Sequence, residues 1–304
     1  MYIGFDTSNY TTSLATYDGK TVYQAKQVLT VKPGERGLRQ SDAVFQHTVN
    51  MPKLCKELAF ETPKAVGVST RPRNVEGSYM PCFLVGENTA TVLSSVNNIP
   101  LYKTSHQVGH ILAALYSAER LDLINQTFLA FHLSGGTTEA LLVEPADDEI
   151  IKATVVANST DLKAGQAVDR TGVMLGITFP CGKELDRLSL QSEKEYKIKP
   201  TMLDGNCSLS GVENKAKNMI DKGESAEDVA KFVLTYIAET VSAMLGGVVQ
   251  KYGDLPVVFS GGVASNSLLR KTINERYNAY FAASEFSLDN AAGTAIYAYL
   301  KDNR

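Results

Sequence analysis

The chain has 304 residues, 44% of them hydrophobic and 21% charged, with a formal net charge of −3. That length allows one large domain or two medium ones, each with a full core. The slight acidity excludes a protein that grips nucleic acid through bulk positive charge alone, leaving a local basic patch or a basic partner to supply that role.

In chain order, Tyr2-Ile3-Gly4-Phe5 reads as a short strand and Asp6-Thr7-Ser8-Asn9-Tyr10 as a polar turn. Thr12 to Tyr17 returns, and Asp18-Gly19 turns the chain into a strand over 21–29. Ser41-Asp42 caps a helix expected to reach about Phe60, bent or interrupted at Pro52. Ala65 to Ser69 is a buried strand ending in the basic loop Thr70-Arg71-Pro72-Arg73. Pro81 to Val96 reads as a helix, with Gly86 allowing close packing.

Thr104-Ser105 is an N-cap pair, followed by Val108, Ile111, Leu112 and Leu115 at helical spacing. This helix carries His106 and His110, two of the four histidines. Residues i and i+4 share a helix face, so both imidazoles can point at one atom, and imidazole is the commonest metal-binding side chain. Half of a metal site, or two polar residues on a half-exposed face, both fit the bare pair. Gln107 stands where the H-E-x-x-H motif would place its general base, which argues against a protease of that kind.

Near residue 126 the pattern restarts. Phe128 to Leu133 is a strand, Ser134-Gly135-Gly136-Thr137-Thr138 a turn, and Glu139 to Val143 the return. This repeats the layout of residues 3–15, so two related α/β halves are expected, 1–120 and 121–304, with the boundary between Ala118 and Gln126. Helices are expected over 161–175, 181–190 and 225–252, with 194–206 polar and irregular. Leu255 to Phe259 is a buried strand, followed by Ser260-Gly261-Gly262-Val263-Ala264-Ser265-Asn266 and a helix through Leu268-Leu269. Asp289 to Gly293 opens an Ala-rich terminal helix.

Cys55, Cys82, Cys181 and Cys207 form no C-x-x-C pair and are expected to be reduced packing thiols. Asp6 interrupts the first apolar run, so no signal peptide is read, and no apolar stretch reads as long enough to span a bilayer. A cytoplasmic protein without a membrane partner is expected.

Small-residue turns at 6–9, 134–138 and 260–266 let backbone N–H groups approach an anion. They resemble the ATP-clamping loops of the actin-like phosphotransferase superfamily. That resemblance implies two duplicated ribonuclease-H-like domains facing a nucleotide cleft. Neither a Rossmann G-x-G-x-x-G nor a Walker A sequence is present.

A narrower resemblance runs nearly end to end. Ser105-His106-Gln107-Val108-Gly109-His110, Leu133-Ser134-Gly135-Gly136-Thr137-Thr138, Asp161 to Gly182, Leu209-Ser210-Gly211-Val212, Ser260 to Asn266 and Phe286 to Ala292 resemble, in order, the motifs of the TsaD family, also called Gcp or YgjD and once labelled O-sialoglycoprotein endopeptidases. The resemblance implies Asp289 as the third ligand beside His106 and His110, a two-His, one-carboxylate site suited to iron or zinc. It implies nucleotide or substrate contacts at Ser134, Gly135, Gly136, Thr137, Asp169, Gly182, Asp186 and Asn266. First-loop contacts at Asp6, Thr7 and Ser8 follow from the same likeness. The implied reaction moves a threonylcarbamoyl group from its adenylate to N6 of the adenosine beside the anticodon of tRNA. Implied ligands are an AMP- or ATP-type nucleotide and one divalent metal. Implied partners are tRNA, reached through a complex, and TsaB-like and TsaE-like proteins. A non-catalytic nucleotide- and metal-binding scaffold, a metallopeptidase and a small-molecule kinase stand as alternatives.

Several positions depart from the family pattern. The acidic pair that often follows the first E-T-S is absent, and Thr137 stands for the histidine of S-G-G-H-T. Leu162 and Lys163 stand for an aspartate and an alanine, and Glu213 for a lysine. Thr70-Arg71-Pro72-Arg73 replaces a Gly-rich loop. His47 and His132 are expected to be structural.

Overall fold

The computed structural model describes residues 1–8, 10–31, 38–58 and 61–304. Two compact units emerge. The first comprises Met1–Asn125, Glu144–Ala153 and Glu285–Arg304, and the second Gln126–Val143 and Thr154–Ser284. We propose the division near residue 120 only as the point where the duplicated sequence begins.

In the first unit, β1 (Tyr2–Asp6), β2 (Thr11–Tyr17), β3 (Val22–Val28), β4 (Ala65–Arg71) and β5 (Leu101–Ser105) form one sheet in the order β3-β2-β1-β4-β5. β1 is antiparallel to β2 and parallel to β4. The helices are α1 (Gln40–Glu57), α2 (Phe83–Asn97) and α3 (His106–Ser117). The second unit repeats this plan. The second sheet, whose β7–β8 tip at Glu144–Ala153 belongs to the first unit, joins β6 (Phe128–Leu133), β7 (Thr138–Ala146), β8 (Ile150–Asn158), β11 (Val257–Ser260) and β12 (Ala279–Phe281) in the order β12-β11-β6-β7-β8. Here too the first strand is antiparallel to the second and parallel to the fourth. Between these strands lie α4 (Ala164–Met174), α5 (Gly182–Ser189), the hairpin β9 (Thr201–Leu203) and β10 (Asn206–Ser208), α6 (Ser210–Asp221), α7 (Ala226–Tyr252) and α8 (Ser267–Asn274). A four-residue α9 (Ser284–Ser287) and α10 (Ala292–Asp302) close the chain. One strand order used twice is the duplicated ribonuclease-H-like plan of actin-like proteins.

Several details correct the sequence reading. Thr70 and Arg71 belong to β4 rather than to a loop. Helix α1 runs through Pro52 without a break, with Pro52 solvent-exposed. Its expected extension to Phe60 reaches residues 59–60, outside the described ones. The stretch 194–206 holds most of a β-hairpin. Among the described residues one helix, α7, is long and apolar enough to cross a membrane by length and composition, contrary to the expectation that no stretch would be. Its apolar face is instead buried, with Val233, Ile237, Val241 and Leu245 in the second unit's core beside Leu129, Phe131 and Phe259. A helix apolar nearly all round is what a central core position demands.

Helix α10 lies across β1, β2 and β4 and against α3. The approach is very close: a Cβ on Gly293 would overlap the Gly109 carbonyl. Only glycine permits backbone on backbone here. The end of α10 also grips the β7–β8 tip, part of the same first unit. Arg304 donates to the carbonyls of Ala146 and Asp147 at 2.9 and 3.0 Å, and Lys301 Nζ to that of Asp148 at 2.9 Å.

Candidate functional site

Strand β5 delivers the chain to α3, and Ser105 caps that helix by accepting from the Val108 N–H at 3.2 Å. His106 and His110 therefore occupy the first turns of α3 on one face, their ring centroids 4.2 Å apart. Asp289, just before α10, meets both. Its Oδ1 is 3.2 Å from His110 Nε2 and 3.5 Å from His106 Nε2. The three ligand atoms lie within 4.8 Å of one another. Ligands at bond lengths of about 2.0–2.2 Å around one ion sit about 3–3.5 Å apart, so this donor set fits a transition-type cation.

Behind the first imidazole stands Asp6 at the end of β1, with 1% exposure. Its Oδ2 is 2.8 Å from His106 Nδ1, and its Oδ1 accepts from the Ser8 N–H at 2.9 Å. Carboxylate behind imidazole is the usual outer support of a metal-binding histidine, because it fixes which nitrogen faces forward. Burial works to lower the His106 pKa. The charge of Asp6 and the hydrogen bonds of Asp289 and Asp6 outweigh it and hold it up at about 10. Burial likewise resists ionisation of Asp289, yet the two histidines hold its carboxyl far below the usual range.

The first-loop residues make hydrogen bonds within the first unit. Asp6 orients His106. Thr7 donates from Oγ1 to the Cys82 carbonyl at 2.9 Å and accepts from the Gly86 N–H at 3.1 Å. Ser8 is buried, and Asn9 lies outside the described residues. The place of Asp6 behind His106 is not legible in the sequence, because the two residues stand 100 positions apart. A lone carboxylate ending the buried run Tyr2 to Phe5 was the signal available.

In the second unit the remaining candidates fall on loops and helix starts. Thr137 donates its N–H to Ser134 Oγ at 3.1 Å and Ser134 its N–H to the Thr137 carbonyl at 2.7 Å, closing a tight turn. Gly135 and Gly136 at its tip are exposed. The start of α4 rests on this turn, Gly165 donating its N–H to the Ser134 carbonyl at 3.1 Å. Asp169 Oδ1 accepts from the Cys181 N–H at 2.9 Å, next to Gly182 at the start of α5. Asp186 and Asn266 come together: Asn266 Nδ2 donates to Asp186 Oδ1 at 2.7 Å, and Asn266 Oδ1 caps α8 by accepting from Leu269. An open depression of about 640 Å³ lined by Gln191, Ser192, Lys194 and Asp228 carries none of these residues.

Sequence comparison decides the family. Residues 41–296 match the family described as TsaD, tRNA N6-adenosine threonylcarbamoyltransferase. The chain belongs to the TsaD family. A protein of that name from Kosmotoga olearia is 32% identical over 231 residues, covering 73% of this chain and 68% of the relative. Another from Persephonella marina is 26% identical over 316 residues, covering 98% and 89%. Among solved structures, the activator of the 2-hydroxyisocaproyl-CoA dehydratase from Clostridium difficile, with bound ADPNP, superposes with a TM-score of 0.57 at 18% identity, covering 100% of this chain and 96% of that one. That likeness supports the actin-like fold alone.

The positions that depart from the TsaD pattern have partners of their own. Lys163 donates from Nζ to the Ser159 carbonyl at 2.6 Å, and Leu162 is buried. Glu213 on α6 pairs with Arg170 on α4 at 2.9 Å, so the reversed charge is answered locally. Arg71 pairs with Glu149 at 3.2 Å. His47 is buried against Thr12 Oγ1 at 2.8 Å. All four cysteines are free thiols, and burial pushes Cys207 up to about 11.

Asp161 ties α4's lead-in to the start of α6. Its carboxylate accepts from the Leu162 and Leu209 N–H groups and from Ser208 Oγ at 2.6–2.8 Å. Partial burial pushes its pKa up, but these bonds prevail and hold it well below the carboxylate range. A depressed pKa stabilises the fold fully above the unfolded value, about 4, and the contribution is lost as pH falls through the folded value. Asp161→Asn is therefore expected to melt below the wild type at pH 7, with the gap narrowing below about pH 4. Melting curves at pH 7 and pH 3 check this.

Proposed function

We propose that this chain is a TsaD-like transferase that moves a threonylcarbamoyl group from its adenylate to N6 of the adenosine next to the anticodon of tRNA. The carrying observation is the convergence of His106, His110 and Asp289 from distant segments, with Asp6 behind. In this reading His106 Nε2, His110 Nε2 and Asp289 hold one divalent ion, iron or zinc. When bound, such an ion supplies Lewis acidity toward the carbamoyl oxygen.

The chain's own residues do the rest. Asp6 accepts the Nδ1–H of His106 and keeps Nε2 forward. Gly135 and Gly136 meet no neighbour where a Cβ would stand, so the adenylate phosphate can reach the backbone N–H groups of the turn. Asp169 accepts from ribose hydroxyls, with Gly182, Asp186 and Asn266 lining the same nucleotide. The tRNA adenosine N6 attacks the carbamoyl carbon, the bond from that carbon to the phosphate oxygen breaks, AMP leaves with the electron pair, and N6 gives up a proton. No covalent enzyme intermediate is needed. Exposed apolar pairs, Phe45 and Val49 on α1 and Val92 and Val96 on α2, support protein partners of the TsaB or TsaE kind. The free thiols support a cytoplasmic setting.

A non-catalytic scaffold is the second reading, favoured by Thr137 in the turn and by the Arg170–Glu213 pair. One assay separates the two. The protein is incubated with the adenylate and unmodified tRNA, alone and with TsaB-like and TsaE-like proteins, and the tRNA nucleosides are analysed. The transferase reading expects threonylcarbamoyladenosine in at least one combination. None in any combination, with nucleotide and metal still bound, leaves the scaffold.

A further inference from the structure

His132 sits near the end of β6, two residues before the turn at Ser134. Its direct neighbours in the sheet are Ser260 on β11 and Glu139 on β7. Directly opposed residues share a sheet face, so the three side chains form a row. Ser260 and Glu139 are buried, at 7% and 6% exposure. His132 Nδ1 lies 3.0 Å from Ser260 Oγ, and that hydroxyl donates to the Phe131 carbonyl at 3.3 Å. The hydroxyl can donate to or accept from Nδ1, so the imidazole holds Ser260 Oγ whichever ring nitrogen carries the hydrogen.

The row stands at the root of both Ser-Gly-Gly turns. Ser260 is the first residue of one, and Leu133 links His132 to the other. Gly261 has φ +91°, and a Cβ there would overlap the Leu133 backbone, so the second turn is seated directly on the strand end that launches the first. Losing the imidazole would leave Ser260 Oγ with only its 3.3 Å contact to the Phe131 carbonyl and slacken that seat.

We propose that His132 is a positioning residue for nucleotide binding: its Nδ1 hydrogen-bonds to Ser260 and thereby fixes the spacing of the two Ser-Gly-Gly turns. This rests on the nucleotide reading given above.

Calorimetric titration of the full chain with AMP tests it, using wild type, His132→Leu, His132→Asn, His132→Gln, Ser260→Ala and the His132→Leu/Ser260→Ala double variant, with melting temperatures recorded. His132→Leu should weaken AMP about tenfold, the scale of one lost hydrogen bond. Asparagine places an amide, with both a donor and an acceptor, near where Nδ1 stood and should recover binding to within about threefold, whereas glutamine should not. Ser260→Ala should match His132→Leu, and the double variant should be no weaker than either, as expected for partners in one interaction. Where His132→Leu does not fold, the Ser260→Ala and His132→Asn comparison decides. Unchanged affinity in the leucine variant, no recovery with asparagine, or additive losses in the double variant would each overturn the positioning role while leaving nucleotide binding standing. A wild type that takes up no adenine nucleotide would instead sink the nucleotide reading, and this inference with it.

Discussion

Purified Asp289→Ala protein is expected to carry less than about one-tenth of the wild type's divalent metal, and Asp6→Asn to bind metal about 10–100-fold more weakly than the wild type. The reasoning is geometric. Asp289 Oδ1 is the atom that both Nε2 nitrogens approach, at 3.2 and 3.5 Å. Without it only two neutral donors remain on one helix, too few to hold an ion against water. Asp6 touches no ligand position, but without its negative charge His106 loses both its fixed tautomer and part of its basicity. Elemental analysis of freshly prepared protein, followed by competition with a chelator, measures both. Wild-type metal content in Asp289→Ala would show that the cluster is not a metal centre.

Gly293→Ala should have the largest effect on stability. Its methyl group would meet the Gly109 carbonyl, and backbone cannot rotate away as a side chain can. Helix α10 must then lift from α3. Overpacking of this kind costs about 1–3 kcal/mol and sometimes more. The strain falls between Asp289, four residues ahead, and the turn that carries His106 and His110. Denaturant unfolding should show the loss, and metal content should fall together with stability. Ala295→Gly, on the same helix, is the comparison: it weakens the helix by about 1 kcal/mol through backbone freedom without wedging it off α3. A Gly293→Ala protein as stable as the wild type would mean that α10 does not sit where the structure has it.

How much of this was readable beforehand depended on what each segment had to bury. Strands β1, β6 and β11 are apolar on both faces and stood out as continuous runs. Strand β5, Leu101 to Ser105, alternates weakly and its end doubles as a helix cap, so only the cap was seen. Strand β12 is three half-buried residues. Helix α6 buries only Val212 and Ala216, too little for periodicity to show. Within the candidate site, the histidine pair was legible because i and i+4 is a local rule. Asp289 was not, being 179 positions from His110; it entered only through the motif likeness. What brings it home is Gly293 against Gly109, a contact between two residues with no side chain to signal it.

The first unit's three chain segments have a consequence for how the protein is made. Residues 285–304 are synthesised after everything in the second unit. A nascent chain that has emerged as far as residue 125 presents two imidazoles and a half-covered sheet, with neither the closing helix nor its carboxylate. The first unit cannot be complete until residues 285–304 have emerged, whereas every residue of the second unit is available before them. A fragment cut at residue 125 would inherit that unfinished state permanently, because it lacks both 144–153 and 285–304 of its own unit.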